Sequence, residues 1–147
     1  MVAEDVGRRR WRLLGWSFLA GALWDIFFGI GVLAAPGRLA PLLGVVLPPD
    51  HLGVYPDLNG LLLVGLGLMY LQVFRDPRRF APIAAVATLL RFGGFALLYA
   101  DVLAGRGGRF FWAVGTADAI LGLVHLGLLR LAAGSLTLAL LGKERAG

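Results

Sequence analysis

Four apolar runs divide the chain, from about Leu13 to Ala35, Leu58 to Phe74, Phe80 to Ala100 and Phe110 to Leu131. Each is close to the roughly 17–25 residues a helix needs to cross a hydrocarbon core. None alternates apolar and polar positions as a strand does. Pro36 closes the first run, and Arg75, Asp76 and Pro77 close the second. The pattern predicts an all-α fold, an integral membrane bundle of four transmembrane helices forming a single membrane domain over residues 1–147. The connection over residues 36–57, "PGRLAPLLGVVLPPDHLGVYPD", is too apolar for a free loop and too proline-rich for a span. Leu39, Leu42, Leu43 and Val46 recur there at helical spacing, which predicts a short interfacial helix. The tail "GSLTLALLGKERAG" predicts another.

Composition agrees with this pattern. Of 147 residues, 59% are hydrophobic and 16% charged, against about 25% charged in a soluble domain. The 22 glycines fit membrane helices, which tolerate glycine well. With no cysteine, disulfides, thiolate metal sites and cysteine catalysis are excluded.

The charge of +5 has a topological reading. Arg8, Arg9, Arg10, Arg12, Arg75, Arg78, Arg79, Arg130, Lys143 and Arg145 fall on one side of the four-span scheme. Arg38, Arg106 and Arg109 fall on the other, and Arg91 lies inside the third run. Positive loops stay inside, so both termini are expected in the cytoplasm. Because the arginines cluster at the ends of apolar runs, no nucleic-acid partner is expected. The first run begins like a secretory signal, "RRRWRLLGWSFLAGALW". It is long for a signal core, contains Asp25 and is followed by no clean small-x-small cleavage site, so it is read as a retained span. "WDIFFG" and "ADAILG" echo each other weakly, each with Asp four residues before Gly; nothing else in the sequence supports a duplication.

Three ionisable residues lie deep within the runs: Asp25, Arg91 and Asp118. At about 1.5 Å rise per residue they sit about 15, 15 and 12 Å from the outer ends of their helices. A charge facing lipid costs about 2.5–3.5 kcal/mol on insertion scales. Pairing inside the bundle is therefore the expected arrangement, with the planar fork of Arg91 bridging two carboxylates. Such a cluster is formally −1 unless one carboxyl keeps its proton. Small residues on the same faces favour close helix approach: Gly21 and Gly29 beside Asp25, Ala84, Ala87 and Gly94 beside Arg91, Gly115 and Gly122 beside Asp118. Trp24, Asn59, Tyr70, Thr88 and His125 are candidates for a pocket or polar track around these charges. The plain alternative is that the cluster only fixes helix register and His125 is a hydrogen-bonded bundle residue. His51 reads as a surface-loop residue, and Trp11, Trp16, Tyr99, Phe110, Phe111 and Trp112 as interfacial anchors.

Catalytic signatures are absent. There is no GxxxxGK[ST], no HExxH and no second His or Cys at ligand spacing from His125. No pattern identifies a cofactor.

The stretch "DLNGLLLVGLGLMYLQVFRDPRRFAPIAAVATLLRFGGFALLYADVLAGRGGRFFWAVGTADAILG" resembles small bacterial four-helix membrane proteins, broadly DoxX-like. The matching features are the Gly-x-x-Tyr of Gly67 and Tyr70, the Asp76–Pro77 connection, a basic residue in the third helix at Arg91 and an acid early in the fourth at Asp118. The group more often has Lys where this chain has Arg91; Arg stays charged, which speaks against a proton-releasing amine. The resemblance implies fold and location more than activity. The expected function is that of a bacterial inner-membrane protein whose polar cluster binds a small amphipathic ligand, a lipid or a quinone, or supports a membrane complex. A homo-oligomer or a partner membrane subunit is compatible with that. The competing expectations are a proton-linked transporter or channel subunit and a quinone-linked redox enzyme subunit.

Overall fold

The computed structural model describes residues 2–42, 54–105, 108 and 110–143. Six helices follow one another: α1 (Val2–Ala34), α2 (Pro36–Leu42), α3 (Val54–Arg75), α4 (Ala81–Leu103), α5 (Phe110–Ala133) and α6 (Leu136–Leu140). No strand occurs among the described residues. Four of the helices, α1, α3, α4 and α5, are long and apolar enough to cross a membrane. The chain is an all-α integral membrane four-helix bundle.

α1 begins at Val2, well before the first apolar run. The arginines ahead of Leu13 are good helix formers, and Asp5 pairs with Arg8 one turn on, at 3.4 Å. The helix has 33 residues and so measures about 50 Å, against about 30 Å of hydrocarbon. Its first turns therefore reach beyond the apolar core. Pro36 opens α2, where its missing N–H costs nothing. The expected interfacial helix at 39–46 corresponds in part to α2; residues 43–53, with Leu43, Val46 and His51, lie outside the described residues. Ser135 precedes α6 and caps it, its hydroxyl accepting from the Leu138 N–H at 3.1 Å.

The most extensive interface joins α1 to α3, followed by α4 with α5 and α1 with α5. α3 and α4 touch little, although a tight turn connects them. Glycine explains the first interface. A Cβ on Gly29 would lie 2.8 Å from the Gly60 carbonyl, and one on Gly67 would lie 3.0 Å from the Ala22 carbonyl. Only hydrogen fits where two backbones meet this closely.

The core is built from Leu14, Phe18 and Ala22 of α1, Tyr70 and Val73 of α3, alanines of α4, and Leu129 and Ala133 of α5. Large apolar side chains such as Phe27, Leu97 and Leu123 are more than 60% exposed. Small residues inside and large apolar ones outside is the arrangement suited to lipid.

At one end the N-terminal part of α1, the α3–α4 turn and the C-terminus of α5 converge. Arg10 Nη1 donates to the Leu131 carbonyl at 3.1 Å, and the Arg78 guanidinium lies 6.0 Å over the Trp11 ring. Trp11, expected as an interfacial anchor, is instead buried. It precedes Leu14 and Phe18 by three and seven residues, which puts it on the same inward stripe.

Candidate functional site

One buried stripe on each long helix builds the site. On α1 the stripe runs Leu14, Phe18, Gly21, Ala22, Asp25, Gly29, each three or four residues from another member, which keeps one helical face. α4 contributes Ala84, Thr88 and Arg91. α5 contributes Gly115, Gly122 and His125, with the half-buried Asp118 between the glycines. α3 contributes Tyr70.

Arg91 crosses the bundle. Its Nη2 donates to Asp25 Oδ2 at 2.7 Å and its Nη1 donates to Asp118 Oδ1 at 2.5 Å. The Asp25 and Arg91 side chains are 2% and 5% exposed and that of Asp118 14%, so the pair with Asp25 is enclosed and the pair with Asp118 is partly so. The guanidinium also lies 5.2 Å from the centre of the Tyr70 ring, within cation–π range. One side chain from α4 thus binds α1, α5 and α3 together.

Glycines make the space. A Cβ on Gly94 would stand 2.8 Å from Asp118 Oδ2, and one on Gly21 3.2 Å from the Tyr70 ring and 3.4 Å from Arg91 Nη2.

Towards the end of the bundle that holds Arg10 and Arg78, an aromatic layer continues the site. His125 stacks on Phe18 with ring centres 4.0 Å apart and planes 12° from parallel. Tyr70 meets Phe18 edge-on at 5.2 Å and His125 edge-on at 6.4 Å. His125 Nε2 lies 3.3 Å from the Ser17 carbonyl. A carbonyl only accepts, so this contact places a proton on Nε2, and in the single-proton ring Nδ1 is an acceptor.

Three buried polar atoms have no hydrogen-bond partner among the described residues: the Tyr70 hydroxyl, Arg91 Nε and His125 Nδ1. Buried polar atoms are nearly always satisfied. Tyr70 links the other two side chains, lying under the Arg91 guanidinium and edge-on to His125, and the three atoms offer a fixed donor, an acceptor and a hydroxyl that can be either.

Of the expected pocket residues, Tyr70 and His125 adjoin the cluster. Thr88 is buried close by, but its hydroxyl donates to its own helix, to the Ala84 carbonyl at 2.7 Å, so it extends no track. Trp24 and Asn59 do not join the site. Trp24 is exposed, 4.6 Å from the Phe28 ring centre; it neighbours Asp25 in sequence but is turned about 100° from it around the helix. Asn59 is exposed because the next residue, Gly60, is the one that faces α1. Phe18 was not singled out by sequence. An apolar residue in an apolar helix carries no signal, and only its spacing of seven from Asp25 marks the shared face.

No group of three or more metal-ligating side chains occurs among the described residues. The arrangement holds two carboxylates on one guanidinium, formally −1, beside partnerless donors and an acceptor. It is equipped to receive a polar group or a proton. Compared with protein-family models, curated proteins and solved structures, the chain has no match, so its own residues carry the functional reading.

Proposed function

We propose that this is a bacterial inner-membrane protein, DoxX-like in build, with both termini in the cytoplasm. In this reading the Asp25–Arg91–Asp118 cluster binds the polar head of a small amphipathic ligand, a lipid or a quinone. The observation that carries it is the trio of partnerless buried atoms, the Tyr70 hydroxyl, Arg91 Nε and His125 Nδ1, beside the ion pairs. In hydrocarbon an unsatisfied polar group costs several kcal/mol. A head with both an acceptor and a donor, such as a quinol, a semi-polar lipid head or a hydroxyl-bearing carbonyl compound, matches the donor and acceptor chemistry of these atoms. A cluster that only locks helix register would need the ion pairs but not the open valences around them.

The test is mass spectrometry of protein purified in mild detergent. The expected result is a stoichiometric lipid or quinone in the wild type, lost in the Arg91→Gln/Asp25→Asn/Asp118→Asn variant. A stable wild-type protein that carries nothing would sink the reading.

A second reading, proton-linked transport, is favoured by one observation: carboxylates outnumber the guanidinium two to one. It predicts proton-driven flux in liposomes that Asp25→Asn abolishes.

A further inference from the structure

The basic end of the bundle carries a groove that the core cluster does not use. It has a volume of about 720 Å³ and runs between the first turns of α1 and the α3–α4 turn. Among the described residues, Arg8, Arg9, Arg12, Arg75 and Arg78 line it, against two acids, Asp5 and Asp76. Both acids are engaged. Asp5 pairs with Arg8 at 3.4 Å, and Asp76 Oδ1 accepts from the Arg79 backbone N–H at 3.1 Å. Arg9, Arg12 and Arg75 are exposed and have no ion-pair partner among the described residues. Close approach of the helices shapes the groove: a Cβ on Gly15 would lie 3.1 Å from the Phe74 carbonyl. Trp16, 56% exposed, packs edge-on against Phe74 with ring centres 5.2 Å apart, and both rings line the groove.

We propose that this groove holds the phosphate headgroup of an anionic phospholipid. Guanidinium forks match phosphate oxygens in pairs. Clustered arginines at the cytoplasmic end of a span meet the anionic leaflet. The place of the groove selects a lipid over a soluble phosphate. The arginines stand where α1 enters its apolar run and α3 leaves its own, and Trp16 and Phe74 lie on the apolar side of them along the two helices. A lone ionic phosphate would gain nothing from that aromatic floor.

Full-length protein in detergent is tested by native mass spectrometry and thermal unfolding. Phosphatidylglycerol, phosphatidylcholine and inorganic phosphate are added separately. Phosphatidylglycerol is expected to remain bound and to raise Tm, while phosphatidylcholine and phosphate leave Tm unchanged. The Arg9→Gln/Arg12→Gln/Arg75→Gln variant is expected to bind phosphatidylglycerol at least about tenfold more weakly. Its charge-matched control, Arg38→Gln/Arg106→Gln/Arg109→Gln, removes the three arginines that the four-span pattern of the sequence puts on the opposite side and is expected to bind as the wild type does. Equal retention of phosphatidylcholine, equal stabilisation by phosphate, or undiminished binding by the first variant would each overturn the proposal. A fall in binding by the control would do the same, since it would reduce the effect to net charge. The core variants Asp25→Asn and Asp118→Asn leave the groove intact, so this test and the ligand test of the core fail independently.

Discussion

Arg91 is the residue on which most of the interior depends. Removing it strands two carboxylates in a medium that cannot solvate them. Arg91→Gln is expected to cost about 3–5 kcal/mol, read from unfolding in detergent. Adding Asp25→Asn and Asp118→Asn should return most of that loss, because the amides need no counter-charge. No recovery in the triple variant would mean that the side chains serve packing more than charge. Gly94→Ala tests the same pocket sterically: with a Cβ 2.8 Å from Asp118 Oδ2, the carboxylate must shift. A cost of about 1–3 kcal/mol is expected, compared with little effect at Gly93, where nothing lies within 4 Å. The meeting of Asp25, Arg91 and Asp118 was legible in the sequence, because charge is rare in apolar runs and helical rise converts position into depth. The azimuth of each side chain was not. Depth tolerates errors of a few residues, whereas one residue turns a side chain by about 100°, which is why Trp24 and Asn59 fall outside the site.

At the scale of the helices, glycine decides which pairs meet. Gly29 and Gly60 face each other's backbones, while Gly65 on the same α3 has nothing within 4 Å. Gly29→Ala and Gly60→Ala should both separate α1 from α3 and lower Tm, whereas Gly65→Ala should be neutral or slightly stabilising, since alanine is the better helix former. Equal effects at all three would remove the contact explanation. The sequence shows small residues on the helices but not which of them find a partner, because that depends on helix order around the bundle. Nor does the chain order disclose that α3 and α4, consecutive and tightly joined, scarcely pack, while α1 contacts both α3 and α5. The helical extension of α1 beyond its apolar run was likewise hidden, since hydropathy marks where a helix is greasy and not where it starts.

Most of the described arginines lie at one end of the molecule, where α1 begins, α3 ends, α4 begins and α5 ends. Orientation in the membrane can be checked directly, because the chain has no cysteine and any introduced thiol is unique. A Lys143→Cys variant should resist impermeant maleimide in intact cells and react after lysis, while Arg38→Cys should react in both. The reverse pattern would invert the cytoplasmic assignment. The all-α membrane class was fully legible from run length and composition, since no water-soluble fold accommodates four such runs with so little charge.

The ion pair between Arg91 and Asp25 joins residues 66 positions apart. That separation bears on how the protein is made. A ribosome adding about 5–20 residues per second delivers Asp25 about 3–13 s before Arg91. For that interval the first helix carries a carboxylate whose counter-charge has not yet been synthesised. Until α4 emerges it must wait beside the insertion machinery, keep that face turned to water, or carry a proton. Bundle closure is then timed by translation, and slowing synthesis between the first and third spans should lengthen the period in which the newborn chain is exposed to membrane proteases.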